Sequence, residues 1–188
     1  MARLRSPQKR QAILDAAALE IDATGLGAST ARIAKRAAVA EGTLFTYFAN
    51  KETLLNELYL DIKIELYRLL NSGPSANGTL KERTRHIWTT FLDWAIEFPE
   101  KRKVSLQLNM SDLITPETRE RVASYSGTVA QTLTELGQQG ASRGLPISFA
   151  SSVLAAMQEV ATDFIARQPA DRQRLSDLAF EAFWKAVD

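Results

Sequence analysis

The stretch Ser29-Thr-Ala-Arg-Ile-Ala-Lys-Arg-Ala-Ala-Val-Ala-Glu-Gly-Thr-Leu-Phe-Thr-Tyr-Phe-Ala-Asn-Lys51 holds two short helical patterns a few residues apart. In the first, Ile33, Ala34 and Ala37 make one apolar edge, while Arg32, Lys35 and Arg36 project elsewhere. In the second, Leu44, Phe45 and Phe48 make the apolar edge, and Glu41, Thr43, Thr46 and Tyr47 face out. Val39 lies in the connection, where it can plug the angle between the helices. Two short helices crossed at a tight turn, the second with polar, hydroxyl-rich tips, form a helix-turn-helix.

A helix of this kind fits the major groove of B-DNA, with its N-terminal residues against base edges. Gly42 lets the backbone approach closely. Thr43 and Thr46 can hydrogen-bond bases or offer a methyl to thymine, and Glu41 can accept from a cytosine amino group. Tyr47 and Lys51, one turn apart, suit phosphates. Ser29 or Thr30 caps the first helix, whose positive end would also face a phosphate, and Arg32 adds a cation beside it.

The run Ile33-Ala34, then Val39-Ala40-Glu41-Gly42-Thr43-Leu44-Phe45-Thr46-Tyr47-Phe48-Ala49-Asn50-Lys51-Glu52-Thr53-Leu54, resembles the signature of the TetR/AcrR family of bacterial repressors. The resemblance implies an N-terminal helix-turn-helix that reads an operator and a divergent helical C-terminal domain that dimerises and binds a small-molecule inducer. It carries Thr30, Tyr47 and Lys51 over as phosphate contacts. Four positions depart from the family pattern: Ala38 replaces a turn glycine, Ala40 a serine, and Phe45 and Tyr47 the usual Tyr and His. Alanine tolerates a left-handed turn poorly. A further likeness to RamR-type multidrug-efflux repressors lies in Ala40–Phe45, Leu58-Tyr59-Leu60 and Ile87-Trp88.

The chain has 188 residues, 45% hydrophobic and 24% charged, which suits a globular protein with a real core. It has no Cys, which removes disulfides, thiolate zinc sites and Cys nucleophiles, and fits a reducing cytoplasm. No apolar run approaches the ~20 residues of a membrane span, and no signal-peptide core is present, so a cytoplasmic protein without membrane partners is expected. Net charge is only +1, but residues 1–55 carry eight basic and five acidic side chains, a +3 excess that leaves −2 for the remainder. That asymmetry runs in the direction a DNA-binding head requires.

Outward from the helix-turn-helix, Arg3 and Arg5 sit on an N-terminal arm able to reach a minor groove or a phosphate. Ser6-Pro7 starts a helix whose Ile13, Ala17 and Ile21 face a core, and Gly25 and Gly27 close it. Asn50 caps the next helix, apolar at Leu54, Leu55, Leu58, Ile62, Leu66, Leu69 and Leu70. At roughly 20 residues, or ~30 Å, it can act as a lever between operator and ligand. Ser72–Thr79 reads as a loop, Leu80–Phe98 and Lys101–Met110 as helices, and Thr115-Pro116-Glu117 as the start of a single helix reaching about Leu136. Along that helix Val122, Tyr125, Val129, Leu133 and Leu136 are expected inward.

Two last helices carry Phe149, Val153, Met157, Val160 and Phe164, then Leu175, Leu178, Ala179, Ala182, Phe183 and Ala186, as inner stripes. Leu154, Ala155, Ala161, Phe180, Trp184 and Val187 are left over, a surplus that implies a two-fold four-helix interface and a homodimer. Tyr59, Trp88, Phe91, Trp94, Tyr125 and Met157 lie on converging helices and suit an adaptable apolar effector pocket. Ile62 belongs to the same helix, and the RamR-type likeness adds Lys63, Leu66, Ser151 and Leu154 to the pocket. Asp61, Asp93, Glu159 and Asp163 are acidic groups available to a cationic ligand.

The only His, His86, has no metal-binding or nucleophilic partner pattern around it, and no phosphate-cradling glycine loop is present. No enzyme and no cofactor or metal is expected. The fold expected is all-α, with a three-helix helix-turn-helix domain over residues 1–51 and a helical ligand-binding and dimerisation domain over 52–188. The function expected is a repressor released from a palindromic, double-stranded DNA operator by a small apolar or amphipathic effector. The other class in play is a helical sensor or adaptor whose head contacts protein.

Overall fold

The computed structural model describes residues 6–73 and 78–187. Arg3, Arg5 and the middle of the expected 72–79 loop lie outside the described residues. Those residues form ten α-helices and no strand: α1 (Pro7–Thr24), α2 (Thr30–Arg36), α3 (Glu41–Tyr47), α4 (Lys51–Leu70), α5 (Leu80–Glu97), α6 (Pro99–Asn109), α7 (Pro116–Ala123), α8 (Gly127–Gly137), α9 (Ser148–Arg167) and α10 (Arg172–Val187). Among the described residues, no helix is long and apolar enough to cross a membrane. Two compact units result, one of residues 1–64 and 98–123, the other of residues 65–97 and 124–188. Helix α4 contributes to both.

The first unit is built on local signals. Ser6 Oγ accepts from the Lys9 amide at the start of α1, and Asn50 Oδ1 accepts from the Thr53 amide at the start of α4. Ile13, Leu14, Ala17 and Ile21 of α1 bury with Ile33 and Ala34 of α2, Leu44, Phe48, and Leu54, Leu55 and Leu58 of α4. Each such Leu, Ile or Phe contributes about 1.5–3 kcal/mol by leaving water. Helix α6 packs on α1, with Val104 and Leu108 inward and Lys103 paired to Asp22 at 3.3 Å.

Two polar clips close this unit. The buried Asn56 donates to the Leu113 carbonyl at 2.9 Å and accepts from the Thr115 amide at 3.0 Å, tying the α6–α7 link to α4. Glu57 takes Arg10 of α1 at 2.6 Å and Arg121 of α7 at 2.9 Å.

The second unit centres on Trp88, fully buried in α5. Its ring stacks on Phe183 and meets Phe180 edge-on, and its indole N–H donates to Ser176 Oγ at 3.3 Å. Gln158 of α9, also buried, donates to the Ile87 carbonyl at 3.3 Å. Arg83 reaches across to α8, bonding Thr132 at 3.2 Å and pairing with Glu135.

Two expectations are corrected here. The helix expected from Thr115 to Leu136 is broken into α7 and α8. Gly127 takes φ +51°, and Asn71 donates to the Tyr125 carbonyl while accepting from Thr128, so a distant side chain satisfies the interruption. Tyr125 is consequently exposed instead of inward. In α9 and α10 the two apolar faces are exchanged for several residues. Leu154, Ala161, Phe180 and Val187 are core, whereas Phe149, Val160, Phe164 and Leu178 are exposed. Both helices carry apolar residues on more than one face, so periodicity alone does not say which stripe meets α5.

Candidate nucleic-acid interface and effector residues

The turn between α2 and α3 decides how α3 is presented. Ser29 Oγ accepts from the Arg32 amide, capping α2. Helix α2 ends at Arg36 with Ala37 as its C-cap, and Ala38 turns left-handed at φ +54°, alone among the described non-glycine residues. The Val39 amide then returns to the Ala34 carbonyl at 3.0 Å. The backbone thus adopts at Ala38 the conformation that favours glycine, without glycine being there. Val39 is half-buried in the angle.

On α3, Leu44 and Phe48 are buried one turn apart. Phe45, expected on the same edge, is exposed because it lies about 100° round a 3.6-residue turn from Leu44. Glu41, Gly42 and Thr46 are exposed and Thr43 is half-exposed. A β-carbon at Gly42 would meet nothing within 4 Å, so the surface there is open. Thr46 Oγ1 donates to the Gly42 carbonyl within its own helix.

The remaining expected contacts hold internal bonds. Thr30 Oγ1 donates to Glu41 Oε1 at 2.6 Å, joining the first residues of α2 and α3. Tyr47 Oη accepts from the Ser6 amide at 3.0 Å and so ties the end of α3 to the start of α1. Lys51 Nζ donates to the Leu26 carbonyl at 2.7 Å. Arg32 and Arg36 both grip the buried Glu20 of α1, at 3.0 and 2.7 Å. The hydrogen bond from Arg36, with the charge of Arg32, holds the Glu20 carboxyl below its ordinary value despite the opposing effect of burial. Sequence reading missed this clamp: Glu20 sits at the C-terminal end of α1, and only the fold brings it beside α2.

Of the expected effector residues, Tyr59, Ile62 and Lys63 belong to the first unit. Tyr59 is buried and donates to Asn109 Oδ1 at 2.8 Å, with Lys63 Nζ 5.4 Å over its ring; Ile62 is buried beside them on α4. The others belong to the second unit. There Leu66, Trp88 and Leu154 are buried, Phe91 is half-buried against Trp94, and Ser151 bonds its own helix at the Ser148 carbonyl. Met157 lines an open apolar groove of about 420 Å³ between α9 and α10, with Ala156, Val160, Phe164, Leu175 and Leu178. Asp61 and Asp93 are engaged by Arg10 and Arg172. His86 Nε2 lies 3.1 Å from the Leu70 carbonyl.

The Ser29-capped α2, the left-handed turn and a short α3 with an exposed polar tip, in a chain whose described residues form helices and no strand, make up a helix-turn-helix. Residues 13–58 match the family model described as bacterial regulatory proteins, tetR family. A protein from Shewanella sp. PV-4 assigned as a tetR family transcription regulator is 29% identical, with 97% of this chain and 98% of that one covered at a TM-score of 0.81. A TetR family transcription regulator from Marinobacter aquaeolei VT8 shares the fold at TM-score 0.84, with 24% identity and 96% and 95% covered. The transcriptional regulator FadR from Bacillus subtilis, solved in complex with stearoyl-CoA, shares it at 0.71, with 20% identity and 95% and 99% covered. Residues 13–58 thus match the N-terminal domain model of the tetR family, and the chain as a whole shares its fold with these solved regulators.

Proposed function

We propose that the chain is a ligand-responsive transcriptional repressor that binds a palindromic operator as a homodimer and leaves it when a small apolar or amphipathic effector binds. Residues 1–51 read DNA in this account, through Ser29, Thr30, Arg32, Glu41, Gly42, Thr43, Thr46, Tyr47 and Lys51. Residues 52–188 hold the effector and the dimer contacts. The observation that carries the reading is the exposed, polar first turn of α3, with open space at Gly42, presented by a helix-turn-helix turn.

Support for the dimer comes from α9 and α10. Val160, Phe164 and Leu178 are each more than half exposed around the apolar groove, an arrangement that costs less when a second copy covers it. A two-fold pair of α3 helices would then meet two half-sites of a palindrome.

For the effector, the candidate contacts form two separate sets: Tyr59, Ile62 and Lys63 in the first unit, and Leu66, Trp88, Phe91, Tyr125, Ser151, Leu154 and Met157 in the second. Stearoyl-CoA in the FadR structure makes long acyl chains the first class of compound to try. Release requires that the effector bind the operator-incompetent arrangement of the dimer more tightly than the competent one. Absence of any mutual effect of effector and operator in calorimetry would refute that mechanism.

Selection from genomic fragments with purified protein at about physiological salt tests the reading. Enrichment of one short palindrome is expected. No enrichment at any salt contradicts it.

A further inference from the structure

We propose that Glu41 sets operator sequence by demanding cytosine opposite it in each half-site, with Thr30 as the positioning residue for its carboxylate. The inference rests on the operator-reading assignment made above. Glu41 is the first residue of α3 and is exposed, and its Oε1 is held by the Thr30 hydroxyl at 2.6 Å. A β-carbon at the adjoining Gly42 would meet nothing within 4 Å, so the surface beside Glu41 is open to a base edge.

Two neighbouring polar groups have internal partners. Thr46 bonds the Gly42 carbonyl, and Arg32 is held by Glu20. A carboxylate offers about four acceptor sites, and Thr30 fills one. The others lose water when α3 enters a groove, and an ionised group that loses water without gaining a donor is strongly disfavoured.

The base edge at this place must therefore supply a donor. Guanine presents two acceptors in the major groove and thymine one acceptor and a methyl, so both oppose a carboxylate. Adenine sets an acceptor beside its amino group. Cytosine offers its amino group without an adjoining acceptor on its own edge, which makes it the base Glu41 admits. Discrimination arises mainly by rejection of the other three.

The test is a selection from randomised duplexes, followed by binding titrations, with wild type, Glu41→Gln, Glu41→Ala and Thr30→Val. Glu41 is exposed, so its variants keep the fold, which circular dichroism verifies. Wild type should enrich a palindrome with cytosine at one fixed position per half-site, and inverting that pair should weaken binding about tenfold or more. Both Glu41 variants should lose this preference while retaining the rest of the site. Thr30→Val should lower the cytosine-to-guanine affinity ratio, a readout that loss of a mere phosphate contact leaves unchanged, since that weakens all sequences alike. A wild-type palindrome selected identically by Glu41→Gln overturns the inference and leaves the operator reading intact. Failure of wild type to enrich any site overturns both.

Discussion

Ala38 is held left-handed between α2 and α3, and replacing it by glycine isolates the cost of that conformation. Its φ is +54° and its methyl is exposed, so Ala38→Gly removes little packing. The left-handed region costs a residue with a β-carbon roughly 1–2 kcal/mol. Glycine returns roughly 0.4–1 kcal/mol of this through the greater freedom of the unfolded chain. The balance is a stabilisation of about 0.5–1 kcal/mol. Gly25 supplies the reverse experiment, because its φ of +76° with ψ −175° suits glycine alone and an added β-carbon would meet nothing within 4 Å. Gly25→Ala should therefore lose roughly 1–3 kcal/mol for backbone reasons only. Urea unfolding at one fixed protein concentration reads both. With a slope of about 2 kcal/mol/M, the Ala38→Gly midpoint should rise by roughly 0.3–0.5 M at unchanged slope. A midpoint that falls or stays put would refute the strain argument.

Other substitutions probe the remaining claims. Glu20→Gln removes the grip on Arg32 and Arg36 and should destabilise the head. A carboxyl with a lowered folded pKa contributes stability that is complete above its ordinary value, here 4.5, and is lost as the pH falls through the folded value. The wild-type advantage over Glu20→Gln should thus hold at neutral pH and shrink on acidification below 4.5; an advantage constant through the acid range contradicts it. Tyr47→Phe and Lys51→Ala should weaken operator and random DNA alike, and the Lys51 change should reduce the salt slope by about one; loss of sequence preference alone would count against the phosphate assignment. Val160→Glu or Phe164→Glu, on the exposed apolar face, should convert dimers to monomers in sedimentation without loss of helicity, and an unchanged mass would refute the proposed interface.

The helix-turn-helix was legible in the sequence because its signals are local. The caps at Ser6, Ser29 and Asn50 and the buried pair Leu44 and Phe48 follow from residues within a few positions, whereas the left-handed turn at Ala38 was raised only by the family resemblance. Non-local facts escaped. The break before α8 depends on Asn71, more than fifty residues away, reaching Tyr125 and Thr128. The spacing of Val122, Tyr125 and Val129 alone gives no hint of it. The inner face of α9 could not be chosen from a helix apolar on both sides. At the candidate interface the residue types were read from pattern, but their internal partners were not. Thr30 with Glu41, Tyr47 with Ser6, and Lys51 with Leu26 are contacts between elements, invisible to periodicity.

The central claim is that two copies present α3 to two half-sites, and the stoichiometry and affinity of the selected palindrome test it most directly. A titration at about physiological salt should saturate at two chains per duplex. A single half-site or a scrambled duplex should bind at least about a thousandfold more weakly. Saturation at one chain per duplex, with half-site and scrambled DNA bound equally well, would contradict the account.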